Sequence, residues 1–212
     1  MKDWHQALVD TFDVLRGKGC KNNNGVVEKQ VHGYDTWERE SLKNEENPAP
    51  QYNLTEKKIL RKYVGGDECD TEIAFEGRLV GGCMDCLVNL TGTSFYKVKE
   101  FNERYADDGI IWFLESCDLN VFAIRRAMWQ MDNAGWFKNV KGFLIGRPLC
   151  YGQEMMGLDQ YEAVLGIIGK YNVPVIMDAD LGHLSPTMPL ICGSVATVSI
   201  KGNNYSIDMK LI

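Results

Sequence analysis

Two side chains stand where chemistry is most easily done: a glutamate and a histidine, each just beyond a run of apolar residues. Glu115 follows Ile110-Ile111-Trp112-Phe113-Leu114, and His183 lies past the run Val173 to Met177, in Asp178-Ala179-Asp180-Leu181-Gly182-His183-Leu184-Ser185-Pro186. Near-continuous apolar runs of this length read as strands buried on both faces, and in open α/β sheets ligands bind at the carboxyl ends of such strands. A histidine there can take and return a proton near neutral pH, and a carboxylate on its far nitrogen fixes its tautomer and stabilises the imidazolium. Glu115, Asp178 and Asp180 each qualify as that carboxylate. The same four residues, Glu115, Asp178, Asp180 and His183, also have the donor types of a metal-assisted hydrolase with a mixed oxygen and nitrogen site. The plainer alternatives are a glutamate that leaves the core to be solvated and a loop histidine capped by its neighbours. Gly182 permits a sharp turn beside the ring, and Pro186 and Pro189 stiffen the loop that carries it.

A nucleophile to go with this pair is harder to find. A hydrolytic serine sits on a strained elbow between strand and helix, flanked by small residues, and no G-x-S-x-G occurs. Ser94 follows Gly92-Thr93 at an expected helix end, and Ser194 precedes a hairpin, so neither has an elbow's surroundings. Cys83 and Cys117 are nucleophilic residue types with nothing local to lower their pKa. Cys83-Met84-Asp85-Cys86 is a C-x-x-C, but a zinc site needs a second pair or nearby histidines, and the three histidines stand at 5, 32 and 183. No metal and no cofactor is expected. The turn Gly77 to Gly82 lacks the signatures of phosphate and dinucleotide loops and reads as packing geometry.

The elements that must position Glu115 and His183 alternate along the chain. A strand over Phe75 to Gly82 ends in a tight turn, and a helix through Cys86, Leu87 and Leu90 follows, stopped by Gly92. After the strand at 110–114, Asp118 or Asn120 offers a cap to a helix that buries Val121, Ile124, Ala127, Met128 and Met131. The strand Gly142 to Gly146, a helix holding Tyr161, Val164, Leu165 and Ile168, and the strand 173–177 continue the alternation. Val195 to Ile200 and Tyr205 to Leu211, across Gly202-Asn203-Asn204, read as an antiparallel hairpin. The expected fold is therefore α/β, a mixed sheet of short strands and helices with an antiparallel C-terminal hairpin at its edge. Upstream, Trp4, Ala7, Leu8, Phe12 and Leu15 have the spacing of a short amphipathic helix, and the polar composition of residues 21–58 reads as a long irregular surface segment. Domains are expected at 1–74 and 75–212.

Composition excludes some partners. The chain has 212 residues, 45% of them hydrophobic and 25% charged, enough to bury one sizeable core. A formal net charge of -6 offers no basic surface to nucleic acid or anionic membrane. Seven scattered cysteines, an odd number, fit reduced thiols. No signal-peptide pattern opens the chain and no apolar run reaches the roughly 20 residues of a membrane span, so a cytoplasmic location is expected.

Four ordered segments carry a resemblance. Gly77-Arg78-Leu79-Val80-Gly81-Gly82, Trp112-Phe113-Leu114-Glu115, Gly142-Phe143-Leu144-Ile145-Gly146-Arg147-Pro148 and Asp180-Leu181-Gly182-His183 resemble the C-terminal domain of the LD-carboxypeptidase family, most of all its microcin C immunity branch. The resemblance implies a swivelling β/α-type domain and a cytoplasmic serine peptidase with a Ser-His-Glu triad. In that triad His183 and Glu115 belong to this chain, and the serine to an N-terminal domain that this sequence lacks. The chain then resembles the C-terminal domain alone or a truncated product, inactive by itself. The implied substrates are small peptides near a free carboxyl terminus, either muropeptides with an L,D bond or microcin-like conjugates. Partners would be the serine-bearing domain and a possible second copy. The substrate-binding residues are not identified, although Arg125, Arg126 and Arg147 have the chemistry to clamp a carboxylate. Cys83 replaces a common Asn after the double glycine, and Ser116-Cys117 replaces a commonly acidic stretch. A non-catalytic binding or dimerisation domain is the remaining alternative.

Overall fold

A computed structural model describes residues 21–23 and 26–211; the expected helix near the start lies outside them. In chain order the strands and helices are β1 (Lys21–Asn23), β2 (Val26–His32), β3 (Thr36–Trp37), β4 (Glu56–Lys57), β5 (Arg61–Val64), β6 (Asp67–Glu68), β7 (Ile73–Cys83), α1 (Met84–Leu87), α2 (Val98–Arg104), β8 (Ile110–Glu115), α3 (Val121–Asn133), β9 (Val140–Gly146), β10 (Glu154–Met155), β11 (Leu158–Asp159), α4 (Gln160–Ile168), β12 (Pro174–Ala179), β13 (Val195–Lys201) and β14 (Asn204–Leu211). Ten of the strands form one sheet in the order β1-β2-β14-β13-β7-β8-β9-β12-β5-β6. Its centre, β7-β8-β9-β12, is parallel, and antiparallel wings extend it on both sides. The mixed α/β expectation holds.

The parallel strands alternate their side chains between two cores. On β8, Ile110, Trp112 and Leu114 face the cluster that includes α3 and α4, while Ile111 joins the opposite cluster, and β9 and β12 divide Phe143 from Leu144 and Val175 from Ile176 in the same way. On the helix face Trp112, Trp136, Phe137 and Phe143 pack as neighbouring rings, with Trp112 and Trp136 centroids 5.4 Å apart. The helix α3 begins where Asn120 accepts a hydrogen bond from the Ala123 N–H at 2.9 Å, and it buries Val121, Ile124, Ala127, Met128 and Met131, as its spacing predicts. On α4 the cap is Asp159, which accepts from the Glu162 N–H.

The other core contains no residue of these helices, so another element must close it. Tyr205 on β14 and Asp180 just past β12 are five strands apart in sheet order, roughly 24 Å in a flat sheet. Yet the Tyr205 hydroxyl donates to Asp180 Oδ2 at 3.1 Å and accepts from the Asp180 N–H at 2.7 Å. The sheet therefore curls so that its wing covers its own centre, with Val198, Ile200, Ile207 and Met209 of the hairpin packed beside Ile111, Leu144 and Ile176.

Three expectations need correction. The polar segment 21–58 is not wholly irregular: β1 and β2 extend the large sheet, and β3 pairs with β4. Polarity misleads there because β2 is held by its backbone pairing with β14, from Ser206↔His32 to Leu211↔Val27. That pairing also puts the C-terminal hairpin inside the sheet rather than at an edge. Finally, β7 does not turn at its double glycine but runs on to Cys83. A Cβ at Gly81 would collide with the Phe113 carbonyl oxygen, so glycine is what lets β7 lie against β8 to its end.

Candidate active site

The carboxyl ends of the four parallel strands converge on one place. Cys83 ends β7, Glu115 ends β8, Gly146 ends β9, and the loop after β12 carries Asp180 to His183. The parallel register pairs Cys83 with Glu115. Glycines make the approach possible: a Cβ on Gly146 would meet the Leu181 carbonyl oxygen at 2.5 Å, and one on Gly182 (φ +96°) would meet Glu115 Oε2 at 2.6 Å. His183 Nδ1 and Glu115 Oε2 lie 2.8 Å apart, bringing together residues 68 positions apart in sequence. The Glu115 side chain is 10% exposed and that of His183 45%. Among the described residues nothing hydrogen-bonds the other ring nitrogen, Nε2.

Both loops are braced. Asp85, in α1, accepts from the backbone N–H groups of Cys117 (3.0 Å) and Asp118 (2.7 Å), which fixes the chain just past Glu115. Burial works against ionisation of Asp85, but these N–H bonds outweigh it and hold the carboxyl below the usual range. The His183 loop is held by Thr187, whose hydroxyl donates to the Gly182 carbonyl at 2.6 Å, and by the Met188 N–H donating to the Asp180 carbonyl at 2.8 Å.

The other candidates go elsewhere. Asp180 is fully buried and paired with Arg147 at 2.7 Å, and its second oxygen accepts from the Tyr34 N–H. Arg147 also donates to the Asp178 carbonyl and lies over the Trp37 ring at 4.8 Å. With its side chain 1% exposed it cannot clamp a substrate, and that expectation is corrected. Arg125 is bound to Glu162 across the two helices, while Arg126 is exposed on α3. Asp178 sits at a left-handed φ of 62° and accepts from Tyr161 (2.8 Å) and Gln160 (3.2 Å). Burial pushes its carboxyl up to about 6, although Tyr161 and Arg147 pull it down. The four acids and bases of a metal-assisted hydrolase are therefore not gathered: Asp178 and Asp180 are engaged with other partners, and only Glu115 and His183 meet.

Among the described residues no serine or activated thiol joins this pair. The Cys83 thiol donates to Asp85 at 3.3 Å, and burial, followed by the Asp85 and Glu115 carboxylates, pushes it up to about 12 against the opposing pull of the Asp85 N–H. A protonated thiol is a poor nucleophile. Burial likewise raises Cys117. Ser194 is buried and donates to the Ile191 carbonyl at 2.7 Å. Sequence reasoning missed Asp85; its signal was an acidic residue two positions past a strand end. It also missed the placement of Cys83 opposite Glu115, which follows from strand register alone.

Sequence comparison identifies the family. Residues 76–198 match the model of the LD-carboxypeptidase C-terminal domain, and the chain belongs to that family. No curated protein sequence matches it. Among solved structures it is similar to an MccF-like protein from Streptococcus pneumoniae, determined in complex with AMP, at 21% identity and TM-score 0.65, covering 95% of this chain and 57% of that one. It is similar to the microcin C7 self immunity protein MccF at 17% identity and TM-score 0.69, covering 100% and 57%. For a muramoyltetrapeptide carboxypeptidase from Oxalobacter formigenes the identity is 22% and the TM-score 0.54, covering 73% and 50%. The chain thus spans about half the length of each. Among the described residues no helix is long and apolar enough to cross a membrane.

Proposed function

We propose that this chain supplies the histidine and the carboxylate of a cytoplasmic serine carboxypeptidase whose serine belongs to a separate N-terminal domain. The observation that carries the reading is the 2.8 Å contact between Glu115 Oε2 and His183 Nδ1, at the carboxyl edge of the sheet, with no hydrogen bond to Nε2 among the described residues. In the complete enzyme His183 Nε2 accepts the serine proton as the hydroxyl attacks an amide carbonyl, then donates it to the leaving amine. Glu115, ionised throughout, holds the ring and balances the imidazolium. By itself the chain hydrolyses nothing by this route.

Substrates follow from the family and from what its structural neighbours hold. One class is the muropeptide with an L,D bond near a free carboxyl terminus. The other is an acyl-amide conjugate of a nucleotide, in keeping with MccF structures described as complexes with adenosine monophosphate and glutamyl sulfamoyl guanosine. The test is reconstitution: a serine-bearing N-terminal domain of the family is supplied in trans, and release of the terminal amino acid or amine is followed by mass spectrometry for both classes. Turnover that disappears in His183→Ala and in Glu115→Gln supports the reading. Turnover unchanged in His183→Ala, or none with a serine domain shown to bind the chain, removes it and leaves the non-catalytic docking role.

A further inference from the structure

The thiol beside the dyad plays no part in that mechanism, yet its position is fixed as firmly as that of the other two groups. Cys83 Sγ, a Glu115 carboxylate oxygen and a His183 ring nitrogen all lie within 4.8 Å of one another. Among the described residues no other three such side chains are gathered in this way. Two of the three sit on adjacent parallel strands in direct register, and the third is brought in by a glycine turn that admits no side chain. The histidine, 45% exposed, leaves a path from solvent.

We propose that Cys83, Glu115 and His183 bind a thiophilic divalent cation of the zinc class, and that the bound ion silences the dyad by taking Nδ1 and the carboxylate that holds it, which leaves the ring proton on Nε2, where the serine proton would have to be accepted. Bond lengths of about 2.0–2.3 Å around tetrahedral zinc place its ligands about 3.3–3.6 Å apart. The three ligand atoms, all within 4.8 Å of one another, must draw together by roughly 1 Å to reach that spacing. One thiolate, one imidazole and one carboxylate select zinc or cobalt over magnesium and calcium, which prefer all-oxygen shells. On binding, the metal–sulfur bond replaces the S–H bond, the thiol proton leaves to solvent, and no electrons are transferred. Water completes the fourth position. This role differs from metal-assisted hydrolysis: the ion is an inhibitor, and removing it restores activity.

The binding stands independently of the peptidase reading; the silencing rests on it. Cobalt(II), a spectroscopic stand-in for zinc, is titrated into the reduced full chain at neutral pH. One equivalent should bind with thiolate-to-cobalt charge transfer in the near ultraviolet. That band should vanish in Cys83→Ser, binding should weaken by more than about tenfold in His183→Ala and Glu115→Gln, and Cys86→Ser and Cys117→Ser should bind as the parent does. Thermal melts establish that each variant is folded. No band, or a band that survives Cys83→Ser or is lost in Cys86→Ser, overturns the site. In the reconstituted enzyme, zinc at the saturating concentration should abolish turnover, a chelator should restore it, and magnesium should leave it unchanged; turnover that persists in zinc overturns the silencing. If a serine domain shown to bind the chain yields no turnover, the peptidase reading and the silencing fail together, while the cobalt titration still decides the site.

Discussion

Two acid–base pairs close the carboxyl edge of the sheet, and their members in the loop after β12 are three residues apart. Asp180 pairs with Arg147 at 2.7 Å, and His183 with Glu115 at 2.8 Å. The Asp180 pair is sealed, with side chains 0% and 1% exposed, and both Asp180 oxygens have partners. The His183 pair is sealed on one side only, over a buried glutamate, and opens on the other through a half-exposed ring. A buried pair of the first kind holds a shape. A pair of the second kind has spare proton-handling capacity facing solvent, which is what a general base requires.

The comparison breaks most sharply in the reconstituted enzyme. His183→Ala should lower kcat by about 10⁴-fold, and Glu115→Gln by about as much, while the thermal midpoint hardly moves; stopped assays and calorimetry on the same preparations check both halves. Arg147→Met should do the reverse of the histidine change at the level of the fold, costing about 3–5 kcal/mol by leaving Asp180 buried without its partner, read from urea midpoints. Gly182→Ala joins the two regions, since its Cβ would press on Glu115 Oε2. Displacing the dyad on the order of 1 Å should cost about 100-fold in kcat with a smaller loss of stability.

The smallest effect concerns Asp178, beneath both pairs. Its folded-state carboxyl titrates near 6, above the ordinary 3.8, because burial disfavours the charge. The folded chain therefore binds more protons than the unfolded one between those values. This contribution is fully present below about pH 4 and is lost as pH rises through about 6. In Asp178→Asn, whose residue type tolerates the left-handed backbone, the change in stability between pH 4 and 6.5 should differ from the parent's by about 2 kcal/mol. Urea titrations at the two pH values measure it; equal slopes for both chains would remove Asp178 from the account.

What could be read from the sequence was local. The runs Ile110 to Leu114 and Val173 to Met177, a cap at Asp118 or Asn120 and the buried stripe from Val121 to Met131 each declare themselves within a dozen residues, and the placement of Glu115 and His183 beyond strand ends follows from the two runs. The partner choices were not local. Nothing near Arg147 says that its carboxylate lies 33 residues on, and nothing near Asp180 says that a backbone N–H 146 residues upstream will satisfy it. Polar strands such as β2 and β5 escape notice for a related reason. Lys62 is buried in β5 with its ammonium donating to the Thr71 carbonyl, an arrangement that composition alone reads as surface.

The curl of the sheet sets an order of events. The loop bearing His183 is tied by Asp180 to Tyr34, near the beginning of the described chain, and to Tyr205, near its end. Contacts so distant in sequence form late, because a long stretch of chain must be closed before they stabilise anything. During synthesis the ties from Asp180 to Tyr205 can therefore close only after β14 has been made, and until then the loop that bears His183 lacks those two anchors.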